Sequence, residues 1–289
     1  MAKKFKINKI LVPTDFSEPS FYGLDTAAEI AKKSNASIHI INVTQLSPYF
    51  YTVDPLALTP PPPAIIEPNT DEIKNSVIQK IENLKKRKSL AGIKVIPFAD
   101  INPNIHLAIT NYAESIKADL IVMGSRGAGN LKEIILGSNA ERVVRFSKIP
   151  VFVVPEKIQK SAFTNIVFAS DFENEAYSFF PFVYNFAGLF SSHIHLLKII
   201  TASQFSKTAD DKQKMYNFAK KFKAKYTFAL YNDYMKEEGI LNYAREVKAD
   251  LIAIGTHGKK GLKRFFSEDV SEGLVRISLF PLLIVNKKS

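Results

Sequence analysis

The chain contains no cysteine. Disulfide scaffolds, thiolate metal sites, iron–sulfur clusters and cysteine nucleophiles are therefore excluded, and a reducing compartment is permitted without being required. Long apolar runs are missing as well. The N-terminus offers only a short apolar segment before Pro13 and Asp15, without the hydrophobic region of a signal peptide, so the expected location is the cytoplasm. The longest uncharged stretch, Ala176 to Leu197, is interrupted by Pro181, Asn185, Gly188, Ser191, Ser192, His193 and His195, too polar for a membrane span; no membrane partner is expected. There is no basic tail. The net charge of +11 is spread evenly, with 21 cationic against 15 acidic side chains in residues 1–160 and 18 against 13 in residues 161–289. No nucleic-acid motif or aromatic-interleaved basic stripe accompanies it, so the lysines read as solvated surface and no nucleic-acid partner is expected. Binding through general positive charge would show a steep salt dependence.

What is present fits a globular chain. It has 289 residues, 46% hydrophobic and 23% charged, enough for two domains of roughly 140 residues each. The sequence also repeats itself. Asn111 to Gly124 (NYAESIKADLIVMG) is matched by Asn242 to Gly255 (NYAREVKADLIAIG) at an offset of 131 residues. Nearer the start of each copy, Ile10 to Phe16 matches Ile166 to Phe172 at an offset of 156, so the first copy carries 25 more residues between these anchors. The surplus falls in residues 47–69, where Pro48, Pro55, Pro60 to Pro63 and Pro68 block both helix and central strand. A loop of that length reads equally as a lid or as a disordered stretch.

Short apolar runs alternate with helical patterns in each copy, the signature of βα units and a parallel sheet. Strands are expected near residues 9–14, 37–43, 93–98, 119–124 and 150–154, and again near 164–169, 193–199, 225–231, 250–255 and 281–285. The fold class is α/β: two tandem doubly wound, Rossmann-like domains, each a five-stranded parallel sheet with flanking helices. Ile73, Val77, Ile78, Ile81 and Leu84 form one helical stripe, with Asn69 and Glu72 as its start signal.

A doubly wound sheet binds its ligand beyond the carboxyl ends of its strands. Strand one ends there at Pro13-Thr14-Asp15, strand two at Val43-Thr44 and strand four at Gly124-Ser125-Arg126-Gly127, where a glycine pair allows a tight turn with amides aimed at an anion. Nine residues further on, Gly137-Ser138 opens a helix, a phosphate site in the making. Ser138 also reads as a simple N-cap reciprocated by Glu141, and Asp15 as an N-cap with Glu18 three residues on.

Residues 124–138, Gly-x-x-Gly, nine residues, then Gly-Ser, resemble the ATP-binding signature of the universal stress protein family. Pro13 to Ser17 is similar to that family's first strand and turn, and Ala118 to Gly124 to its fourth strand. The resemblance covers both copies, giving a tandem arrangement of one domain at 1–157 and a second, with a degenerate nucleotide motif, at 162–289. It implies that Gly127, Gly137, Ser138 and the Asn139 amide hold phosphates, that Asp15 faces the ribose or adenine, that the Val43 backbone meets the adenine edge, and that Gly124 shapes the turn; Arg126 either pairs with a phosphate or is solvated. Pro13, Thr14 and Met123 complete the expected site. The implied ligand is ATP, with Mg2+ as an optional companion. The fifth strands of the family pair across a twofold axis, so 151–154 and 282–285 are expected to make the chain an intramolecular pseudo-dimer; a homodimer of chains is a further option.

The second copy departs from this pattern. Gly255-Thr256-His257-Gly258 is kept, but Glu268-Asp269 replaces the Gly-Ser pair. Asp269 reads as a cap completed by Glu272, yet two carboxylates facing a polyphosphate are repelled by about 4 kcal/mol per unit pair at ~4 Å and an effective dielectric of ~20. One nucleotide per chain is expected, in the first copy. No catalytic set is visible: there is no Ser-His-Asp arrangement, no Walker ending and no supported carboxylate pair. His193 and His195 alternate on a strand as either a metal pair or ordinary histidines, and no metal site is assigned. His257 reads as solvent-facing. Phe179, Phe180, Phe182, Phe186 and Phe190 crowd more than one face of a helix, to be covered by the other half or by a protein partner. The expected function is an adenine-nucleotide-binding regulatory module of stress physiology acting on an unidentified protein partner. The alternative is a slow ATPase or nucleotide-cleaving enzyme in which Asp15 or Arg126 acts on the phosphates.

Overall fold

The computed structural model describes residues 6–46, 69–125, 137–158, 163–222, 226–256 and 268–286. The expected loop 47–69 lies outside these residues except for Asn69, as do Arg126, Gly127, His257 and Gly258. In chain order the first copy supplies β1 (Lys9–Pro13), α1 (Glu18–Ser34), β2 (Ser37–Thr44), α2 (Thr70–Leu84), β3 (Val95–Ile101), α3 (Ile105–Ser115), β4 (Leu120–Gly124), α4 (Ser138–Phe146) and β5 (Val151–Val154). The second supplies β6 (Asn165–Ala169), α5 (Ala176–Phe190), β7 (His193–Ile200), α6 (Thr208–Ala219), β8 (Tyr226–Asn232), α7 (Lys236–Glu246), β9 (Leu251–Thr256), α8 (Glu268–Ile277) and β10 (Leu282–Asn286).

All ten described strands form one sheet, in the order β3-β2-β1-β4-β5-β10-β9-β6-β7-β8. Within each copy the pairing is parallel, with strand order reversing between the first strand and the fourth. At the centre β5 and β10 run antiparallel, Val151 opposite Ile284 and Val153 opposite Leu282, so the halves are related by a pseudo-twofold through this seam. Because helices cover both faces, the strands are apolar on both: Ile10 and Val12 join the core beneath α1, α2, α5 and α6, whereas Leu11 joins the core beneath α3, α4, α7 and α8.

The duplicated Lys-Ala-Asp segment has a structural cause. Lys117 and Lys248 adopt left-handed backbone angles (φ 53° and 50°) that end α3 and α7. The next aspartates then anchor the opening of each copy's first strand: Asp119 accepts from the Asn8 and Lys9 amides at 2.8 and 3.0 Å, and Asp250 from the Thr164 and Asn165 amides at 2.8 and 2.9 Å. Four of the five phenylalanines of α5 are covered by the chain itself, and Phe190 is partly buried. Phe179, Phe180, Phe182 and Phe186 are buried, and Phe186 meets Phe152 of β5, 5.7 Å between ring centroids, across the seam between the halves. The seam is polar too: Asn286 donates to the Ser147 carbonyl of the other copy and accepts from Thr256 Oγ1 at 2.8 Å.

Candidate functional site

A cleft of about 620 Å³, open mouth included, lies beyond the carboxyl ends of β1, β2 and β4. Each element reaches it by a traceable route. At the end of β1, the Thr14 amide extends the ladder to the Ile41 carbonyl at 2.9 Å, and the Thr14 carbonyl accepts from Asn42 Nδ2 at 2.8 Å. The chain then turns sharply: Phe16 is left-handed (φ 62°), its amide donating to Thr14 Oγ1 at 3.0 Å. This conformation is costly for a bulky residue and fixes Asp15 at the rim. The Asp15 carboxylate accepts from the Ser17 amide at 3.0 Å and from the Ser17 hydroxyl.

Ser17, not Asp15, is the N-cap of α1, accepting from the Ser20 amide. The expected cap at Asp15 is corrected accordingly; its carboxylate lies two residues too early and holds the cap residue instead. A second correction concerns α4. Gly137 occupies its N-cap position and Ser138 is the first helical residue, without a side-chain cap; Glu141, expected to reciprocate, instead pairs with Arg276 of α8 at 2.6 Å. The Gly137 amide donates to the Ser125 carbonyl at 2.8 Å, which ties the end of β4 to the start of α4 and leaves the helix's positive end at the cleft. Gly124, expected to shape a turn that runs into residues outside the described set, ends β4; a Cβ there would stand 2.3 Å from the Pro19 carbonyl oxygen, so the glycine also admits the backbone of α1. By contrast, Asn69 caps α2 as expected, accepting from the Glu72 amide at 3.2 Å.

Of the sequence-derived site residues, Pro13, Thr14, Asp15, Val43, Met123, Gly124, Gly137 and Asn139 line this cleft; Ser138 stands between the last two, and Arg126 and Gly127 lie outside the described residues. The sequence argument missed an apolar wall formed by Ile41, Ile105, Ile109 and Ala140. Its signals were available: Ile41 and Val43 share one face of β2, and Ile105 and Ile109 are one helical turn apart. The result is a slot with an apolar flank, an acid at one rim and a helix N-terminus at the other.

The second copy reproduces the turn. Phe172 is left-handed (φ 61°), and Asp171 Oδ1 accepts from the Glu173 amide at 3.1 Å. Asp171 is more enclosed than Asp15; burial pushes its carboxyl above the usual range, partly opposed by the charge of Lys236. Lys236 stands where the first copy has Ile105, and Lys198 where it has Asn42. Lys198 is engaged by the buried Asp211, whose other oxygen accepts from Ser206 at 2.5 Å. Helix α8 begins at Glu268, which places Asp269 within the helix; the side chains of Glu268, Asp269 and Glu272 lie outside the described set. On β7, His193 bonds Thr227 Oγ1 at 2.6 Å and stacks edge-on against His195, and no cluster of three metal-binding side chains occurs among the described residues.

Fold and site together define a duplicated, doubly wound α/β protein with a cleft at the strand-order reversal of its first copy. The profile described as the universal stress protein family matches residues 6–155 and 233–286. The chain belongs to that family. It is 31% identical over 147 residues to the universal stress protein YxiE of Bacillus subtilis, covering 51% of this chain and 98% of that protein. To universal stress protein MJ0577 of Methanocaldococcus jannaschii it is 34% identical over 159 residues, covering 52% and 95%. A crystal structure of a universal stress protein from Archaeoglobus fulgidus superposes over 98% of this chain and 97% of its own with a TM-score of 0.73 at 24% identity, a likeness of fold. No described helix is long and apolar enough to cross a membrane.

Proposed function

We propose that the chain is an adenine-nucleotide-binding regulatory module of the stress response, with one ATP site, in the half formed by residues 1–157. The observation that carries this reading is the first-copy cleft, where Ile41, Val43, Ile105, Ile109 and Met123 flank an open space between Asp15 and the start of α4. A purine needs an apolar slot for its faces, a ribose needs an acceptor such as Asp15, and a phosphate chain needs unpaired helix amides. The Gly137 amide is taken by the Ser125 carbonyl, so this end is offered by Ser138 and Asn139, the first residues of α4. Binding would shift the conformation offered to a protein partner, without a catalytic set being required.

The test is calorimetric titration of the full chain with ATP. One site per chain is expected, weakened at least about tenfold, near 1.4 kcal/mol, by Asp15→Ala and abolished by Gly137→Glu with Ser138→Asp, which gives the first copy the second copy's residues. No binding, or two equivalent sites, would sink the reading. Turnover well above background that Asp15→Asn removes without loss of binding would make the chain an ATPase instead.

A further inference from the structure

We propose that the outer edge of β8 joins a second copy of this chain, antiparallel about a twofold axis at Ala229, so that the sheet continues from one molecule into the next. The inference does not depend on the nucleotide reading.

Among the described strands the ten-stranded order leaves two edges, β3 and β8, each paired on one side alone. An open edge carries a row of backbone donors and acceptors, and folded proteins blunt it with proline or charge. β3 is blunted: Pro97 near its middle has no amide to donate, and Asp100 adds a charge. β8, Tyr226–Asn232, has neither proline nor a charged side chain. Its packing is also left unfinished. Tyr226 and Leu230 pack on the core beneath α5 and α6, yet Phe228, on the same face by alternation, is 46% exposed. Among the described residues Phe205, Tyr216, Tyr234 and Met235, on the segments around β8, are exposed too, whereas α2 and β3 expose no large apolar side chain. The uncovered apolar surface thus gathers at the edge that is chemically open.

Charge identifies the occupant. Residues 220–225, ahead of the strand, hold four lysines and no acid, whereas residues 233–238, beyond it, hold Asp233, Glu237 and Glu238 against Lys236. Two parallel copies would set like charges together; two antiparallel copies set the basic entry of each beside the acidic exit of the other. A twofold also places the residues at its axis against themselves, which suits a strand without charge. With the axis at Ala229, Phe228 of each copy faces Leu230 of the other on one face of the sheet, and Thr227 faces Tyr231 on the opposite face. The chain already uses this joint once: β5 and β10 meet antiparallel at the seam between its halves.

The absence of cysteine makes the test direct. Sedimentation velocity of the full chain over a concentration series is expected to show a monomer–dimer equilibrium. Phe228→Lys, which gives β8 the charge that protects other edges, is expected to leave a monomer with an unaltered circular dichroism spectrum. Under mild oxidation Ala229→Cys should give an interchain disulfide, because opposed Cα atoms of an antiparallel pair lie about 4.5–5.5 Å apart, within disulfide reach. Asn232→Cys should not, since its two copies would stand about 20 Å apart at ~3.4 Å per residue. A chain that stays monomeric up to its solubility limit, including one that takes an unrelated extended peptide onto β8, would overturn the proposal. So would a dimer that a folded Phe228→Lys leaves intact, or Asn232→Cys cross-linking as readily as Ala229→Cys. Should Phe228→Lys melt out, the two cysteine variants decide alone.

Discussion

The ring of Phe179 lies on Gly255: a Cβ added there would stand 2.0 Å from Phe179 Cδ2. In the first copy the same helix position is Gly23, whose own Cβ would come within 2.8 Å of the Gly124 amide nitrogen. One half brings helix backbone onto strand backbone and the other inserts a ring. Gly124→Ala and Gly255→Ala are therefore each expected to cost about 1–3 kcal/mol, because backbone must yield at the first and the buried Phe179 ring, met at its Cγ as well as its Cδ2, at the second. Gly188 of α5 meets nothing within 4 Å, and Gly188→Ala should stabilise by roughly 0.5–1 kcal/mol. Urea denaturation of the three variants checks the order.

Asp119 and Asp250 hold the first strands of their copies through backbone amides. Replacing either with alanine should cost about 1–3 kcal/mol by leaving amides without their charged acceptor. Nucleotide affinity should be unchanged, since these groups sit at the amino ends of the strands and the cleft lies at the carboxyl ends. A parallel loss of ATP binding in calorimetry would mean that the two sheet ends are coupled.

Asp211 is 1% exposed and Lys198 14%. Asp211→Ala leaves the lysine without its partner and should destabilise by about 3–5 kcal/mol. The double replacement Lys198→Met with Asp211→Leu removes both charges and should recover most of that loss. Thermal melts of the single and double variants give the comparison; a double variant as unstable as the single would show that the pair is needed for more than mutual neutralisation.

Burial lowers the imidazole pKa of His39, His106 and His195 below the ordinary 6.5. The unfolded chain then binds more protons than the folded one between the folded and unfolded values, so stability rises with pH through that window and is lost on acidification. Melting temperature should fall as pH drops below about 6.5. His195→Gln should make the fall shallower, because His195 Nε2 is buried without a hydrogen-bond partner and its protonation is unsupported. An unchanged slope would assign the effect to His39 and His106 alone.

Much of this protein was legible from local pattern. Every expected strand is present to within two or three residues of its expected ends, since a parallel sheet covered on both faces demands uninterrupted apolar runs. The cap at Asn69 was readable for the same reason: Glu72 lies three residues away, within one helical turn. The caps at Asp15 and Ser138 were misread because each depends on where the preceding turn leaves the chain. A left-handed Phe16 moves the start of α1 two residues on, and a direct bond from Gly137 to Ser125 fixes the start of α4.

The sequence by itself determined the duplication, the α/β class and the glycine and acid positions near the first strand end, because these follow from residue type and spacing along the chain. Tertiary structure decided that Phe186 of α5 closes against Phe152 of β5, that Ile105 and Ile109 complete a slot, and that the buried Asp211 engages Lys198 in the other half. Those are contacts between separate elements, and only the register of the sheet and the packing of helices on it bring them within reach.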